Sequence, residues 1–240
     1  MIAKYLPTFL KSAIKNRLQP HVCHWSQAGQ DLWVSGEAFN EMRQGFFLDI
    51  GAHDGIYLSN TYLLERKYDW TGICVEANPD SFERLRKNRR ATCIQACLDS
   101  AEGFVDFAKK GVFGGIISAN TDNNDLQDKR DEVLSLKTKC LEKVLAENGA
   151  PMELDYVSID VEGAEERILG NFNFKRHRFK CLTIERPNAL VRTLLREAGY
   201  ILVKDIPRLD CFFVHESFVE QYCANLQAFY LKKQVTLRWH

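Results

Sequence analysis

At 240 residues the chain is long enough to bury a substantial core within one domain. Lys plus Arg and Asp plus Glu balance at 32 each, so no global field favours nucleic acid or an anionic surface, and nucleic acid is not expected as a partner. Eight cysteines are scattered without a CxxC pair, several of them inside apolar runs, which argues against a disulfide framework and for a reducing compartment.

Residues 1–25 read as an N-terminal extension. Ile2, Tyr5, Leu6, Phe9, Ile14 and Leu18 recur at helical spacing, with Lys4, Lys11, Lys15 and Arg17 between them. This basic amphipathic helix is expected to pack on the domain or on a second copy in a homodimer, with membrane-surface contact as the alternative. His21 and His24 flank Cys23 without a second ligand pair, so they read as structural or surface residues rather than as a zinc site. No apolar run approaches the ~18–20 residues that span a bilayer, no transmembrane segment or signal core is predicted, and the expected location is the cytoplasm.

Residues 26–240 read as a single domain. Strands are predicted at 46–50, 72–76, 92–97, 103–108, 133–137, 156–160 and 181–185, and a hairpin at 200–204 and 211–214. Helices are predicted at 59–66, 81–87, 141–146, 164–169, 189–197 and 218–231, the second opened by Asn78-Pro79-Asp80. The alternation implies an α/β fold: a mostly parallel sheet, helices on both faces, and an antiparallel strand added at the edge by the C-terminal hairpin. Segment 109–130, with Gly111, Gly114, Gly115 and the run Asn120-Thr-Asp-Asn-Asn-Asp, reads either as a substrate-covering loop or as plain surface.

The strand at 46–50 runs through Asp49 into a turn with Gly51 and Gly55, and the strand at 72–76 ends in Glu76. Ligands of parallel sheets bind beyond the carboxyl ends of the strands where the strand order reverses. Glu76 is placed to accept both hydroxyls of a ribose, a carboxylate having two acceptor oxygens. A dinucleotide would call for Gly-x-Gly-x-x-Gly, which lets backbone approach a pyrophosphate. The turn Asp-Ile-Gly-Ala-His-Asp-Gly sets Asp49 where a diphosphate would be repelled. That acid suits a cationic ligand such as the ammonium or sulfonium of S-adenosyl-L-methionine, unless it merely caps a helix.

Phe47-Leu-Asp-Ile-Gly-Ala-His-Asp-Gly followed by Ser59-Asn60-Thr61 resembles the opening motif of FkbM-family methyltransferases. The resemblance continues through Trp70-Thr-Gly-Ile-Cys-Val-Glu-Ala-Asn-Pro, Ser158-Ile-Asp-Val-Glu-Gly-Ala-Glu and Leu182-Thr-Ile-Glu185, and Ser26-Gln-Ala-Gly-Gln-Asp31 resembles the lead-in of one branch. It implies a Rossmann-like, seven-stranded class I methyltransferase fold and S-adenosyl-L-methionine as cofactor. It also implies methyl transfer to hydroxyls of sugars or secondary metabolites. Position by position, it assigns Asp49, Gly51, Ala52 and Gly55 to the methionine end of the cofactor, Glu76 to the ribose, and Asn78 with Cys97, Leu98 and Asp99 to the adenine. Asn60, at a helix start, is expected at the cofactor carboxylate. Asp160 is expected beside the transferred methyl, and His53 receives no role.

A sugar hydroxyl keeps its proton at neutral pH, so methylating it calls for a base or for a metal that lowers its pKa. Asp160 and Glu162, two apart on extended backbone, would point the same way, and Glu185 ends the next strand. These three are the expected catalytic residues, either as one base with two substrate-hydroxyl acceptors or as ligands of a hard cation, Mg²⁺ or Mn²⁺. Glu165 and Glu166 read as a solvated helix face, Arg186 as a grip for a substrate carboxylate or phosphate, and His215 as incidental. The expected acceptor is a small molecule or glycan. The competing readings are a non-sugar acceptor, N-methylation of nucleic acid, and a cofactor-binding domain without catalysis. N-methylation is disfavoured because Ser158-Ile-Asp-Val-Glu stands where an Asn/Asp-Pro-Pro-Tyr motif is required.

Overall fold

The run Phe46–Ile50 forms β1, an interior strand of a seven-stranded sheet. The computed structural model describes residues 24–124 and 132–232; the amphipathic helix expected within residues 1–19 lies outside them. Beside β1 lie β2 (Thr71–Glu76) and β3 (Thr92–Gln95) on one side, and β8 (Glu153–Ile159) and β9 (Arg178–Glu185) on the other, every pairing parallel. Parallel strands covered by helices on both faces are buried on both sides, which is why β1, β2, β8 and β9 read as nearly continuous apolar runs. Alternate residues of β1 feed two cores: Leu48 and Ile50 enter one, Phe47 the other.

The strand order is β10-β11-β9-β8-β1-β2-β3, with β10 at Tyr200–Asp205 and β11 at Asp210–His215. The expected hairpin is present, but its antiparallel strand is not the edge. β11 inserts between β9 and β10 and is buried throughout, whereas β10 is the exposed outer strand. The strand order reverses between β1 and β8, so the carboxyl ends of these two strands open a crevice.

The strand predicted at 92–97 divides. Ala96 N–H donates to Glu76 O, and Cys97–Leu98 leaves the main sheet as β4 to pair with β7 (Glu132–Lys139). With β5 (Phe104–Lys109) and β6 (Gly115–Ile116) these form a second, four-stranded sheet. It carries segment 111–124 across the crevice.

The N-terminal lead-in folds as α1 (Gln30–Leu32), continued by a π-helical stretch, Trp33–Ala38. The buried Asp31 carboxylate fastens it by accepting Trp25 N–H at 2.6 Å and Ser26 Oγ–H at 2.5 Å. Helix α2 covers Tyr62–Tyr68, later than predicted, because Ser59–Thr61 forms a bend in which Ser59 Oγ accepts two backbone N–H groups. Helix α3 (Pro79–Asn88) begins with Pro at its first position and Asn78 as its cap. Helices α4 (Leu141–Glu147), α5 (Glu165–Leu169), α6 (Ala189–Glu197) and α7 (Val219–Lys232) complete the layers. Cysteines other than Cys23 are free thiols. No helix of the described residues is long and apolar enough to cross a membrane.

Candidate functional site

The turn after β1 is built on a glycine with no room for a side chain. Gly51 adopts φ 85°, and a Cβ there would lie 1.8 Å from Asp160 O. Gly51 and Ala52 N–H both donate to Val75 O, at 3.0 and 3.1 Å, which lays the turn against β2. His53, at φ 48°, directs its N–H to Glu76 Oε2 at 2.8 Å, and Asn78 N–H reaches Oε1 at 2.7 Å. Burial pushes the Glu76 carboxyl up to about 7, against these N–H groups, which favour its charge.

Two clefts meet over this turn. One lies between walls that include Ile50, Val75, Leu98, Ile116 and Ile168, with Glu76 on its lining. The other, of about 1010 Å³, is polar and is lined by Asp49, Asn60, Ser158, Glu185 and Arg186 among others. Gly51, His53, Val112, Asp160 and Glu162 border both. A slot with apolar walls and Glu76 on its lining suits a nucleoside, and the polar cleft suits a charged tail and a second substrate.

Asp49 lies on the polar side. Its Oδ2 accepts Thr61 Oγ1–H at 2.6 Å and stands 3.9 Å from the buried Arg89 guanidinium. Burial raises its pKa, and Arg89 and Thr61 oppose that. Asn60 Nδ2–H donates to Ser158 Oγ at 2.9 Å, leaving a buried Oδ1 with no partner. Asn60 lines the polar cleft, where this oxygen is open to an N–H or O–H donor.

Asp160, Glu162 and Glu185 do converge, though not by extended alternation. Glu162 takes φ 54°, a left-handed turn that a non-glycine residue adopts only at a cost. The register of β8, β9 and β11 sets Asp160 beside Glu185, and Glu185 opposite Asp210. Burial, then Glu185 and Asp210, drive the Asp160 carboxyl well above its ordinary range, and it shares a hydrogen bond with Glu185. Burial and Glu185 bring Glu162 up to about 7, with Arg186 opposing.

The cation expectation changes in two ways. The acids whose oxygens lie within 4.8 Å of one another are Asp122, Glu162 and Glu185, without Asp160. Arg186 Nη2 already donates to all three: to Glu185 at 2.9 Å, to Glu162 at 3.1 Å, and to Asp122 more closely. A guanidinium occupies the place a divalent ion would take, so the set does not fit a metal. The same bonds leave Arg186 engaged with protein acids rather than free to grip a substrate anion. Asp122, inside the polar run at 120–125, gave no sequence signal beyond the loop's composition.

Several predicted residues border neither cleft. Asn78 caps α3 by accepting Asp80 N–H at 3.0 Å. Asp99 is held by Arg167, whose Nε–H reaches Oδ1 at 3.1 Å. Gly55, at φ 80°, makes room for the Arg89 side chain, whose Cγ would lie 2.6 Å from an added Cβ. Cys97 and Leu98 do line the apolar slot. Glu165 is buried rather than solvated and accepts Val161 and Gly163 N–H at 3.4 and 3.3 Å. His215 is occupied by Ser217 N–H and Oγ, and His24 Nδ1 lies 3.2 Å from Ser26 O.

A sequence model of the methyltransferase FkbM domain matches residues 49–202. None of the curated proteins matches the sequence. Among solved structures, the chain is similar to the methyltransferase FkbM from Methylobacillus flagellatus KT at 14% identity and a TM-score of 0.47, over 76% of this chain and 48% of that one. It is also similar to a TehB-like SAM-dependent methyltransferase from Corynebacterium glutamicum (11% identity, TM-score 0.44, 87% of this chain and 97% of that one). A third is the precorrin-6Y C5,15-methyltransferase from Geobacter metallireducens, at 12% identity and a TM-score of 0.39, over 77% of this chain and 86% of that one.

Proposed function

This chain belongs to the FkbM methyltransferase family, and from that premise we propose that it transfers a methyl group from S-adenosylmethionine to a hydroxyl of a sugar, glycan or glycosylated metabolite. The observation that carries the reading is the meeting of the two clefts at Asp160 and Glu162. A nucleoside slot opens there onto a polar chamber lined with acids.

The residues present fit the cofactor. Glu76 keeps lone pairs for ribose hydroxyls beyond the two N–H groups it accepts, and Asn60 Oδ1 lacks a donor. Asp49 supplies negative charge on the methionine side. When bound, the cofactor supplies an electrophilic methyl carbon on a sulfonium. Glu162 is the base in this reading. It borders both clefts, and a carboxyl held at about 7 is matched to accepting a proton at neutral pH. Arg186 orients it through the 3.1 Å bond to Oε2. Burial, then Glu185 and Asp210, disfavour the charged form of Asp160, which makes it the poorer proton acceptor of the two. No step runs through a metal, because Arg186 fills the acid cluster.

Calorimetry with S-adenosylmethionine and its demethylated product is expected to show binding, and NAD none. Incubation with labelled cofactor and a panel of hydroxylated sugars is expected to transfer label to oxygen. Binding of NAD in preference, or cofactor binding without transfer to any hydroxyl acceptor while amines are methylated, would overturn the proposal.

A further inference from the structure

Arg89 stands in no motif, yet its side chain ties the turn that carries Gly55 to the start of α2. It follows the last residue of α3, and its side chain is fully buried. Nε–H donates to Glu65 Oε2 at 3.2 Å and Nη2–H to Thr61 Oγ1 at 2.9 Å. Nη1–H reaches Gly55 O at 3.3 Å and Ser59 Oγ at 3.4 Å. The guanidinium carbon lies 5.2 Å from the Phe47 ring centroid and 5.8 Å from that of Tyr62. Gly55 is required for this arrangement, since a Cβ there would meet Arg89 Cγ at 2.6 Å.

Asp49 shares its one nearby cation with a second acid. Arg89 faces two buried acids, Asp49 at 3.9 Å and Glu65 at 3.2 Å. Glu65 is further satisfied by the N–H groups of Arg90 and Ala91 and by the Arg90 guanidinium at 4.0 Å. Asp49 has only Thr61 on Oδ2, and among the described residues nothing donates to Oδ1. A buried carboxylate left half-satisfied at a cleft wall is costly until a cation reaches it. The other titratable groups around Asp49 are Glu76 and Cys74 of β2 and Tyr156 of β8. None of them can supply that charge.

We infer that Arg89 is a positioning residue of the cofactor site, holding the Asp49 carboxylate toward the charged amino-acid end of S-adenosylmethionine. This rests on the methyltransferase reading above. Thr61 is the relay: its hydroxyl accepts from Arg89 and donates to Asp49, so the carboxylate is oriented as well as countered. The guanidinium also opposes the rise that burial imposes on Asp49, so its removal leaves a group that ionises only in more alkaline solution.

The test uses the full chain and three probes: S-adenosylmethionine, S-adenosylhomocysteine and 5′-methylthioadenosine, the last lacking the amino-acid end. Affinities are measured by calorimetry from pH 6 to 9 for the wild type, Arg89→Met, Arg89→Lys and Thr61→Val, with folding checked by thermal unfolding. Arg89→Met is expected to weaken the first two ligands at least tenfold at pH 7.5 and to leave methylthioadenosine within twofold. Arg89→Lys and Thr61→Val should show the same selectivity with a smaller loss, and they carry the comparison if Arg89→Met does not fold. An equal loss for all three probes, or no loss, overturns the inference while the methyltransferase reading stands. Wild-type protein that binds none of the three removes both.

Discussion

The carbonyl oxygen of Asp160 lies 1.8 Å from the point where a Cβ on residue 51 would stand. The first turn of the sheet and the acid after β8 are therefore in backbone contact, and the turn cannot shift without moving Asp160. Substituting Gly51→Ala combines this clash with a φ of 85°. Left-handed strain alone costs about 1–2 kcal/mol, and displaced backbone adds to it, so a loss of roughly 3 kcal/mol or more is expected in urea unfolding. Gly149→Ala is the control, with φ 63° and open space around it. It should lose only the strain, and an equal loss at both positions would show the contact to be unimportant.

Glu162 should set the pH profile. A base held at about 7 works only when ionised, so kcat should rise with pH below about 7 and level off above it. Glu162→Gln removes the base and keeps the volume, and general-base removal typically lowers kcat by about 10²–10⁴-fold. Cofactor affinity should stay within about twofold, since the same contacts remain in the ground state. Stopped assays and calorimetry on one preparation separate the two effects, and turnover that survives the substitution assigns the proton to another group.

What could be read from the chain alone was whatever repeats at the period of a strand or ends one. β1, β2, β8 and β9 are apolar runs closed by acids or small polar residues, so the sheet and Asp49, Glu76, Asp160 and Glu185 stood out. The same pattern is silent where long-range pairing decides. Cys97 and Leu98 continue an apolar run, yet they leave β3 to pair with Thr138 and Lys139 of β7. Arg89 reads as one more charge in Lys-Asn-Arg-Arg, and only the positive φ of Gly55 betrays that a side chain passes there. Glu165 follows Gly-Ala as an ordinary first-turn acid. Nothing in its neighbours says that Val161 and Gly163 turn their N–H groups back onto it. Asp122 lies in a run of polar residues with no period at all.

The burial of Glu165 makes a stability prediction with a definite sign. Its carboxyl is raised from 4.5 to about 7 in the fold, chiefly by burial. The folded chain thus holds a proton that the unfolded chain has released between those values. Its contribution is fully present below about 4.5 and is lost as pH rises through 7. Glu165→Gln keeps an oxygen to accept Val161 and Gly163 N–H and cannot ionise. Relative to the wild type it should gain stability from pH 5 to 8, on the order of 1–3 kcal/mol, in denaturant titrations at several pH values. A difference that does not change with pH would mean that Glu165 stays charged in the fold.

Arg186 decides whether the acids at the strand ends can take a metal. Its guanidinium bonds Asp122, Glu162 and Glu185 together, and these acids otherwise present oxygens within 4.8 Å of one another. Hard divalent ions seek just such oxygen sets. Wild-type activity should therefore resist chelation, and Mn²⁺ should bind weakly or not at all in calorimetry or paramagnetic resonance. Arg186→Ala should open the cluster to Mn²⁺. Without the cation that lowers it, the Glu162 carboxyl should also move above 7, carrying the alkaline rise of kcat with it. The two effects separate with pH: added Mn²⁺ in the variant should restore the wild-type profile by replacing the lost charge. Should wild-type turnover instead fall on chelation and return with Mg²⁺, the guanidinium must swing out during catalysis, and the acid cluster is a metal site after all.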